Sequence, residues 1–175
     1  MTSASTKVPA TSAEARAEFR ENRLAQPTSG MAPGSVQANL AILPRESAFE
    51  FLLFCQRNPK PCPVIEVIEA GSVEPSISAP GADIRTDLPR YRVYRDGVMT
   101  EELLDLKSIW RDDLVSFLLG CSFSFEHALL DNGITLPHWE TDKNVAMFQT
   151  NVQTTPAGPF SGPMVVSMRW IPQDK

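Results

Sequence analysis

The chain has 175 residues, of which 42% are hydrophobic, and its formal net charge is -5. This length and composition suit one domain, or two small ones, with a buried core. The acidic balance argues against a dedicated nucleic-acid or anionic-membrane binder, because both depend on a basic face. No apolar run approaches the ~20 residues that a membrane-spanning helix requires, so we expect no membrane partner.

The cysteine usage indicates a reducing compartment. Cys55, Cys62 and Cys121 match neither a disulfide framework nor a zinc site of paired C-x-x-C segments. The N-terminus lacks the order of a secretory signal, and its Ser, Thr and Ala content has a transit-peptide character that nearby glutamates weaken. We therefore expect a cytoplasmic protein, with a mitochondrial location as the alternative.

A polar tail precedes the first predicted helix. Residues 1–10 are small and polar, so we expect them to be flexible. Thr11 and Glu14 have the spacing of a capping box, and the Ala-, Arg- and Glu-rich run after them favours a helix to Leu24. Two prolines and two glycines within 26–34 then predict a shaped loop.

The next part of the chain alternates helix and strand signals. Residues 35–43 are compatible with a short buried element, and apolar residues near helical spacing predict a helix over 46–57. Three prolines end that helix before a β-branched strand over 64–68. The segment 69–90 is long and rich in Gly, Pro, Ser and Asp, which predicts a functional or disordered loop.

The strongest hairpin signal is the Asp96-Gly97 pair between strand-like runs over 91–95 and 98–103. Arginines alternate with tyrosines in the first run, a pattern that suggests a nucleic-acid stripe. The acidic residues of the second run would cancel that charge, so we expect a solvated strand face and no nucleic-acid partner.

An apolar run over 110–119 predicts a helix that leads to Gly120, where the chain can bend sharply. Ser122 or Ser124 can then cap a second helix that runs towards Leu130. The first turn of a helix carries unpaired N–H groups that suit a small carboxylate or an oxyanion. The alternative is that this cap only begins a helix.

The order helix, short turn, strand predicts an α/β fold, with α+β as the alternative. We expect a mixed sheet with flanking helices and a smaller interleaved α+β subdomain containing the hairpin. The last predicted strands cover 136–139, 145–151 and 164–171. We expect residues 11–175 to form one compact unit, its main part covering approximately 11–80 and 108–145 and its smaller part 81–107 and 146–175.

The common nucleotide-binding and serine-hydrolase motifs are absent from the sequence. His127 and His138 lack partners at metal-ligand spacing, so we expect structural roles and neither a metal nor a cofactor, although His138, before Trp139, could line a pocket. Cys121 at a helix N-terminus is a further catalytic candidate, because the helix dipole favours a thiolate. The alternative for Cys121 is a buried, inert thiol.

Four sequence segments resemble those of the hydro-lyase family that includes the D-glutamate cyclase domain. These segments cover 34–44, 51–63, 86–94 and 117–126. The resemblance runs from about Glu14 to Ile171 and implies a lyase of two interleaved α/β parts. It also implies interconversion of 5-oxo-D-proline and D-glutamate, or hydration of a related small carboxylic acid. D-amino acid metabolism without a metal is the corresponding expectation.

The sequence departs from this family in two ways. Where the family commonly reads Asn-Val-Pro-Met-Tyr-Arg-Thr-Asn, this chain has Ala146, Phe148 and Gln149 in place of the proline, phenol and guanidinium. Family members also continue after the strand at 165–169, so we expect this chain to be a shortened form. The alternative function is therefore a catalytically impaired relative that binds a small acid or a partner protein.

The expected site combines a carboxylate clamp with an acid–base pair. Ser122 and Ser124 would bind the substrate carboxylate, with Arg85 as a second clamp, because a bidentate arginine suits a carboxylate. Lactam hydration also needs a base and an acid. Glu126 and Asp87 are the candidates, unless Glu126 only complements the helix dipole and Asp87 only caps a turn. The expected partners are a small carboxylic acid and further copies of the chain.

Overall fold

Helices and small antiparallel sheets build the protein, in a computed structural model that describes residues 8–140 and 144–173. The flexible tail predicted for 1–10 lies mostly outside these residues. The helices are α1 Ser12–Arg20, α2 Arg45–Arg57, α3 Glu126–Asp131 and α4 Pro137–Glu140, with a 3₁₀ helix at Ser122–Phe125. The strands are β1 Ala38–Pro44, β2 Val64–Ile68, β3 Tyr91–Arg95, β4 Val98–Leu103, β5 Leu114–Gly120, β6 Met147–Gln153 and β7 Pro163–Ser167.

A three-stranded sheet with the order β1-β5-β2 holds the most buried strand of the chain at its centre. Both neighbours of β5 are antiparallel to it, and β1 pairs with it from Ala38 opposite Gly120 to Pro44 opposite Leu114. Phe117 of β5 is almost fully buried, and its ring meets that of Phe51 on α2 at a centroid distance of 4.9 Å. This packing anchors β5 in the core shortly before the strand ends at Gly120.

The helix predicted over 110–119 is wrong, because β5 occupies most of that segment. A central strand is covered on both faces, so its sequence is a continuous apolar run without the alternation of a half-buried strand. Such a run cannot be distinguished from a buried helix by periodicity alone. A strand, and not a helix, therefore leads into the bend at Gly120, beside the candidate site.

The capping box and the hairpin are both confirmed. Thr11 Oγ1 accepts a hydrogen bond of 3.2 Å from the Glu14 amide, and Glu14 Oε2 accepts one of 3.2 Å from the Thr11 amide. The helix that follows ends at Arg20, earlier than predicted. Between β3 and β4, Asp96 and Gly97 have φ of 50° and 79°, the positive values that a tight two-residue hairpin requires.

The C-terminal elements agree with the sequence only in part. The strand predicted over 136–139 is wrong: Pro137 begins α4 there, as its fixed φ and missing N–H allow at the first position of a helix. The strands β6 and β7 are present and pair antiparallel, with Met147 opposite Ser167. No helix within the described ranges is long and apolar enough to cross a membrane.

The fold class is confirmed as a mixture of helices and sheets, in its α+β form. The sheet pairing differs from the expected mixed sheet, because the four strand pairs in the described parts of the chain are all antiparallel. A two-residue connection explains the hairpin β3-β4, whereas the longer connection 154–162 joins β6 to β7. The division into two interleaved parts stays a prediction.

Candidate functional site

The bend at Gly120 places a short 3₁₀ helix directly after the buried strand β5. The Gly120 amide donates a 2.8 Å hydrogen bond to the Pro63 carbonyl, and a Cβ atom on Gly120 would lie 3.2 Å from Pro63 Cγ. This close approach is the reason for glycine here. Cys121 then occupies the N-cap position in an extended conformation, partly exposed, with its amide donating to the Gln37 carbonyl.

The prediction that Ser122 or Ser124 caps the following helix by its side chain is wrong. Ser124 Oγ instead accepts a hydrogen bond of 2.8 Å from the Gln37 amide and donates one of 3.2 Å to the Gln37 carbonyl. Ser122 Oγ lies 3.0 Å from Ser167 Oγ on β7. Residues distant in the sequence, Gln37 just before β1 and Ser167 on β7, therefore satisfy both hydroxyls, and the helix begins without them.

Glu126, the first residue of α3, is the centre of a buried polar cluster. Its side chain is fully buried and accepts hydrogen bonds on both oxygens. Oε2 accepts from Ser29 Oγ at 2.9 Å and from Trp139 Nε1 at 2.9 Å. Oε1 accepts from Arg169 Nη2 at 2.6 Å and Nε at 3.0 Å, and bonds His138 Nε2 at 2.9 Å.

These donors keep Glu126 ionised. Burial raises the pKa of this carboxyl, but the hydrogen bonds from Trp139, Arg169, Ser29 and His138 outweigh burial, and its pKa lies below the usual value. An ionised carboxylate only accepts, so His138 Nε2 must carry the proton of their hydrogen bond. The second ring nitrogen of His138, Nδ1, has no hydrogen-bond partner within the described part of the chain.

Arg169 links this cluster to the end of β7. Only 5% of its side chain is exposed, and its Nη1 donates to Ser167 Oγ at 2.8 Å while Nη2 donates to Ser122 Oγ at 3.1 Å. The guanidinium also lies 4.7 Å from the centroid of the Phe125 ring, a cation–π contact. Ser122 is thus brought to Glu126 through Arg169, as part of one network.

A cavity of about 390 Å³ lies next to the cluster. His138 and Trp139 line it, so the prediction that His138 lines a pocket is confirmed. The rest of the wall comes mainly from the 26–34 loop, with Val8, Gln26, Pro27, Ser29, Gly30, Met31 and Asn144. Three donors to Glu126, namely Ser29, His138 and Trp139, therefore stand between the buried carboxylate and an open volume large enough for a small molecule.

Asp87 and Arg85 form a separate cluster on the long loop. Asp87 is also buried and accepts from Arg20 Nε at 2.8 Å, from Thr86 Oγ1 at 2.7 Å and from the Asp83 amide at 3.1 Å. Burial raises the pKa of Asp87, but the hydrogen bonds from Arg20 and Thr86 hold it below the usual value. Arg85 pairs with Asp83 at 2.7 Å. No hydrogen bond among the described residues joins this cluster to Glu126.

Sequence reasoning missed three members of the Glu126 cluster: Ser29, Trp139 and Arg169. Ser29 is 97 positions from Glu126 and Arg169 is 43, so local patterns could not connect them. A usable signal existed for Arg169. Residues 144–168 contain no charged side chain, so an arginine that directly follows this stretch is conspicuous. Within the described ranges, no group of three or more His, Cys, Asp or Glu residues could bind a metal.

The three positions that depart from the family pattern lie apart from the cavity. Ala146, Phe148 and Gln149 are exposed on or beside β6, and none of them lines the cavity. Their replacement therefore leaves the polar cluster around Glu126 intact.

Comparison with known proteins supports the family resemblance. The family model described as D-glutamate cyclase matches residues 115–175. A "Putative hydro-lyase" of Geobacillus kaustophilus is 60% identical over 164 residues, which cover 94% of this chain and 62% of the relative. "Putative hydro-lyase YcsI" of Bacillus subtilis is 56% identical over 160 residues, covering 91% of this chain and 62% of that protein.

The chain thus spans less than two thirds of the length of these curated relatives. The family predicted from the four sequence segments is confirmed, and the chain belongs to the hydro-lyase family related to D-glutamate cyclase.

Proposed function

We propose that this chain is a hydro-lyase that acts on a small carboxylic acid and interconverts 5-oxo-D-proline and D-glutamate. The observation that carries the proposal is the pair formed by Glu126 and His138: a buried, ionised carboxylate bonds one nitrogen of an imidazole that lines a cavity of about 390 Å³. The printed names of the relatives and the matching family model support the reaction class.

His138 is the proposed acid–base residue. Its Nε2 is fixed by Glu126, which leaves Nδ1 as the nitrogen that can accept a proton. Water in the cavity gives a proton to Nδ1 while its oxygen bonds to the lactam carbonyl carbon of 5-oxo-D-proline. The C–N bond of the tetrahedral intermediate then breaks, and the proton on Nδ1 passes to the departing nitrogen. The product is D-glutamate, and the reverse sequence releases water.

Glu126 is proposed as a positioning residue in place of the base expected from the sequence. Hydrogen bonds occupy both of its oxygens and lower its pKa, so it is a weak proton acceptor. The same negative charge holds the His138 ring in one tautomer and stabilises the imidazolium that forms when Nδ1 is protonated. Acid–base catalysis of this kind contributes about 10²–10⁴-fold in rate.

The carboxylate clamp is also reassigned. Ser122, Ser124 and Arg85 are occupied by Arg169, Gln37 and Asp83, respectively. Among the described residues, the cavity wall offers the neutral amides of Gln26 and Asn144, and we propose that their NH₂ groups bind the substrate carboxylate. Because Ser122, Ser124 and Arg85 already have these partners, the clamp is placed inside the cavity.

The test is turnover by the purified chain. Incubation with 5-oxo-D-proline should yield D-glutamate, and incubation with D-glutamate should yield the lactam, both resolved by chiral chromatography. The L-enantiomers are the matched controls and should give at least about tenfold less product, since the site is chiral. Absence of product from every substrate, together with a raised melting temperature in 5-oxo-D-proline, would instead favour a small-acid-binding protein.

A further inference from the structure

A second, larger opening lies between two strand edges. This groove has a volume of about 1190 Å³, and all of β1 and all of β3 contribute to its lining. Small-molecule sites usually measure about 300–1,000 Å³, so the groove is larger than such ligands need. Its walls belong to different sheets, because β1 is the outer strand of β1-β5-β2 and β3 pairs only with β4.

The register of β1 shows which of its backbone groups face the groove. At one end the Cys121 amide donates to the Gln37 carbonyl, and at the other the Arg45 amide donates to the Asp113 carbonyl. In an antiparallel pair, hydrogen-bonded and non-hydrogen-bonded residues alternate. The odd-numbered residues of β1 therefore bond to β5, and the even-numbered ones present their backbone groups to the other side.

Three residues supply this free edge: Ala38, Leu40 and Ile42. Within the described part of the chain their N–H and C=O groups have no hydrogen-bond partner. Pro44, the last residue of β1, has no N–H, so the edge that can donate ends at Ile42. An unpaired edge of this kind is a template for another strand.

The charge of the groove identifies a class of partner. Its lining contains four arginines, Arg90, Arg92, Arg95 and Arg111, and one acidic residue, Glu102, in a chain whose net charge is -5. Every one of these arginines is ion-paired, Arg90 and Arg92 with Glu102, Arg95 with Glu101 and Arg111 with Asp113, so the four guanidinium groups face three carboxylates. Arg92 and Arg95 are 65% and 59% exposed. Their ion pairs to carboxylates on β4 are long, at 3.5 and 3.6 Å, so they can turn to a ligand at little cost.

We propose that this groove binds an extended acidic polypeptide segment, which adds a strand to the free edge of β1. The backbone of the segment pairs with Ala38, Leu40 and Ile42, and its carboxylates lie against the arginines on and around β3. Main-chain hydrogen bonds supply affinity in this mode of recognition, and the side-chain surroundings supply specificity.

A labelled peptide of about nine residues with alternating glutamate and valine is the probe, and fluorescence anisotropy is the measurement. We expect binding that weakens as salt is raised, and at least about tenfold weaker binding when lysine replaces glutamate. Equal affinity of the two peptides, or no binding of the glutamate peptide, would overturn the proposal.

Backbone methylation of the probe tests strand addition separately from charge. N-methyl groups on one alternate set of residues remove the donors that face β1, and should abolish binding because each blocked position also clashes with the edge. Methylation of the other set should leave most of the affinity. If both methylated peptides bind like the parent, the arginines act without a strand and the proposal fails.

Two protein variants complete the test. The double change Arg92→Ser with Arg95→Ser should weaken binding of the glutamate peptide at least about fivefold and reduce its salt dependence. The matched control is Lys60→Ser with Lys107→Ser, which removes the same charge from exposed positions outside the groove. Equal losses in the two variants would mean that only net charge matters, which contradicts a defined groove.

Discussion

Two buried carboxylates, Glu126 and Asp87, have similar hydrogen-bond surroundings but different expected roles. Both accept hydrogen bonds from an arginine and from a hydroxyl, and both have a pKa below the usual value. They differ in one kind of partner. Glu126 bonds His138 and Trp139, which line a cavity, whereas the partners of Asp87 among the described residues are Arg20, Thr86 and a backbone amide.

Burial and a lowered pKa therefore do not mark a catalytic residue by themselves, since structural ion pairs show the same features. The distinguishing feature is a titratable partner at the wall of an open volume. By this criterion Asp87 holds the long loop to α1, while Glu126 supports His138, the residue that we propose meets the substrate. The arginines differ too: Arg169 is 5% exposed and Arg20 is 49% exposed.

Removing the Glu126 charge should have the largest effect on stability. Glu126→Gln keeps the shape of the side chain but leaves Arg169 buried without its counter-charge, so we expect a loss of about 3–5 kcal/mol in the free energy of unfolding. Asp87→Asn should cost about 1–3 kcal/mol, because the half-exposed Arg20 can be hydrated. Urea unfolding at pH 7 compares the two variants, and a larger loss for Asp87→Asn would reverse the comparison.

The pH dependence of the free energy of unfolding should show the same order, with a larger contribution from Glu126 than from Asp87. Both carboxylates have folded-state pKa values below the unfolded ones, so their contribution is full above the ordinary carboxylate pKa of about 4 and is lost as pH falls through the lowered pKa. Stability should therefore decline in this acid range, and less steeply in each variant than in the parent. A parallel decline in parent and Glu126→Gln would show that Glu126 contributes nothing to it.

The smallest effects should come from the hydroxyl partners. Ser29→Ala and Thr86→Val each remove one hydrogen bond to a buried carboxylate that keeps its other donors, so we expect each to cost about 0.5–1.5 kcal/mol of stability. Only Ser29→Ala should also change kcat, by less than about tenfold, because only Glu126 supports His138. A change in kcat for Thr86→Val at pH 7 would bring Asp87 back into the proposed mechanism.

The sequence allowed local structure to be predicted well and tertiary partners poorly. Spacing rules suffice for the capping box of Thr11 and Glu14 and for the Asp96-Gly97 turn, because each depends on residues that are close together in the sequence. The prediction failed at β5 because burial on both faces removes the periodicity that distinguishes strand from helix.

The candidate site shows the same limit. Glu126 could be selected because it follows Gly120 and two serines, but the residues that define its role come from the 26–34 loop, α4 and the end of β7. Those contacts depend on how the strands pair and on where each loop crosses the sheet. The sequence contained one indication of these partners: Arg169 is a charged residue directly after the uncharged stretch 144–168.

The most direct test of the central claim is the turnover of 5-oxo-D-proline by His138→Gln. The glutamine amide can occupy the place of Nε2 and still donate to Glu126, but it offers no base at the place of Nδ1. We expect kcat to fall at least about 10²-fold, with KM and the free energy of unfolding close to those of the parent. D-glutamate formation at the parental rate by a folded His138→Gln protein would contradict the assignment of His138 as the acid–base residue.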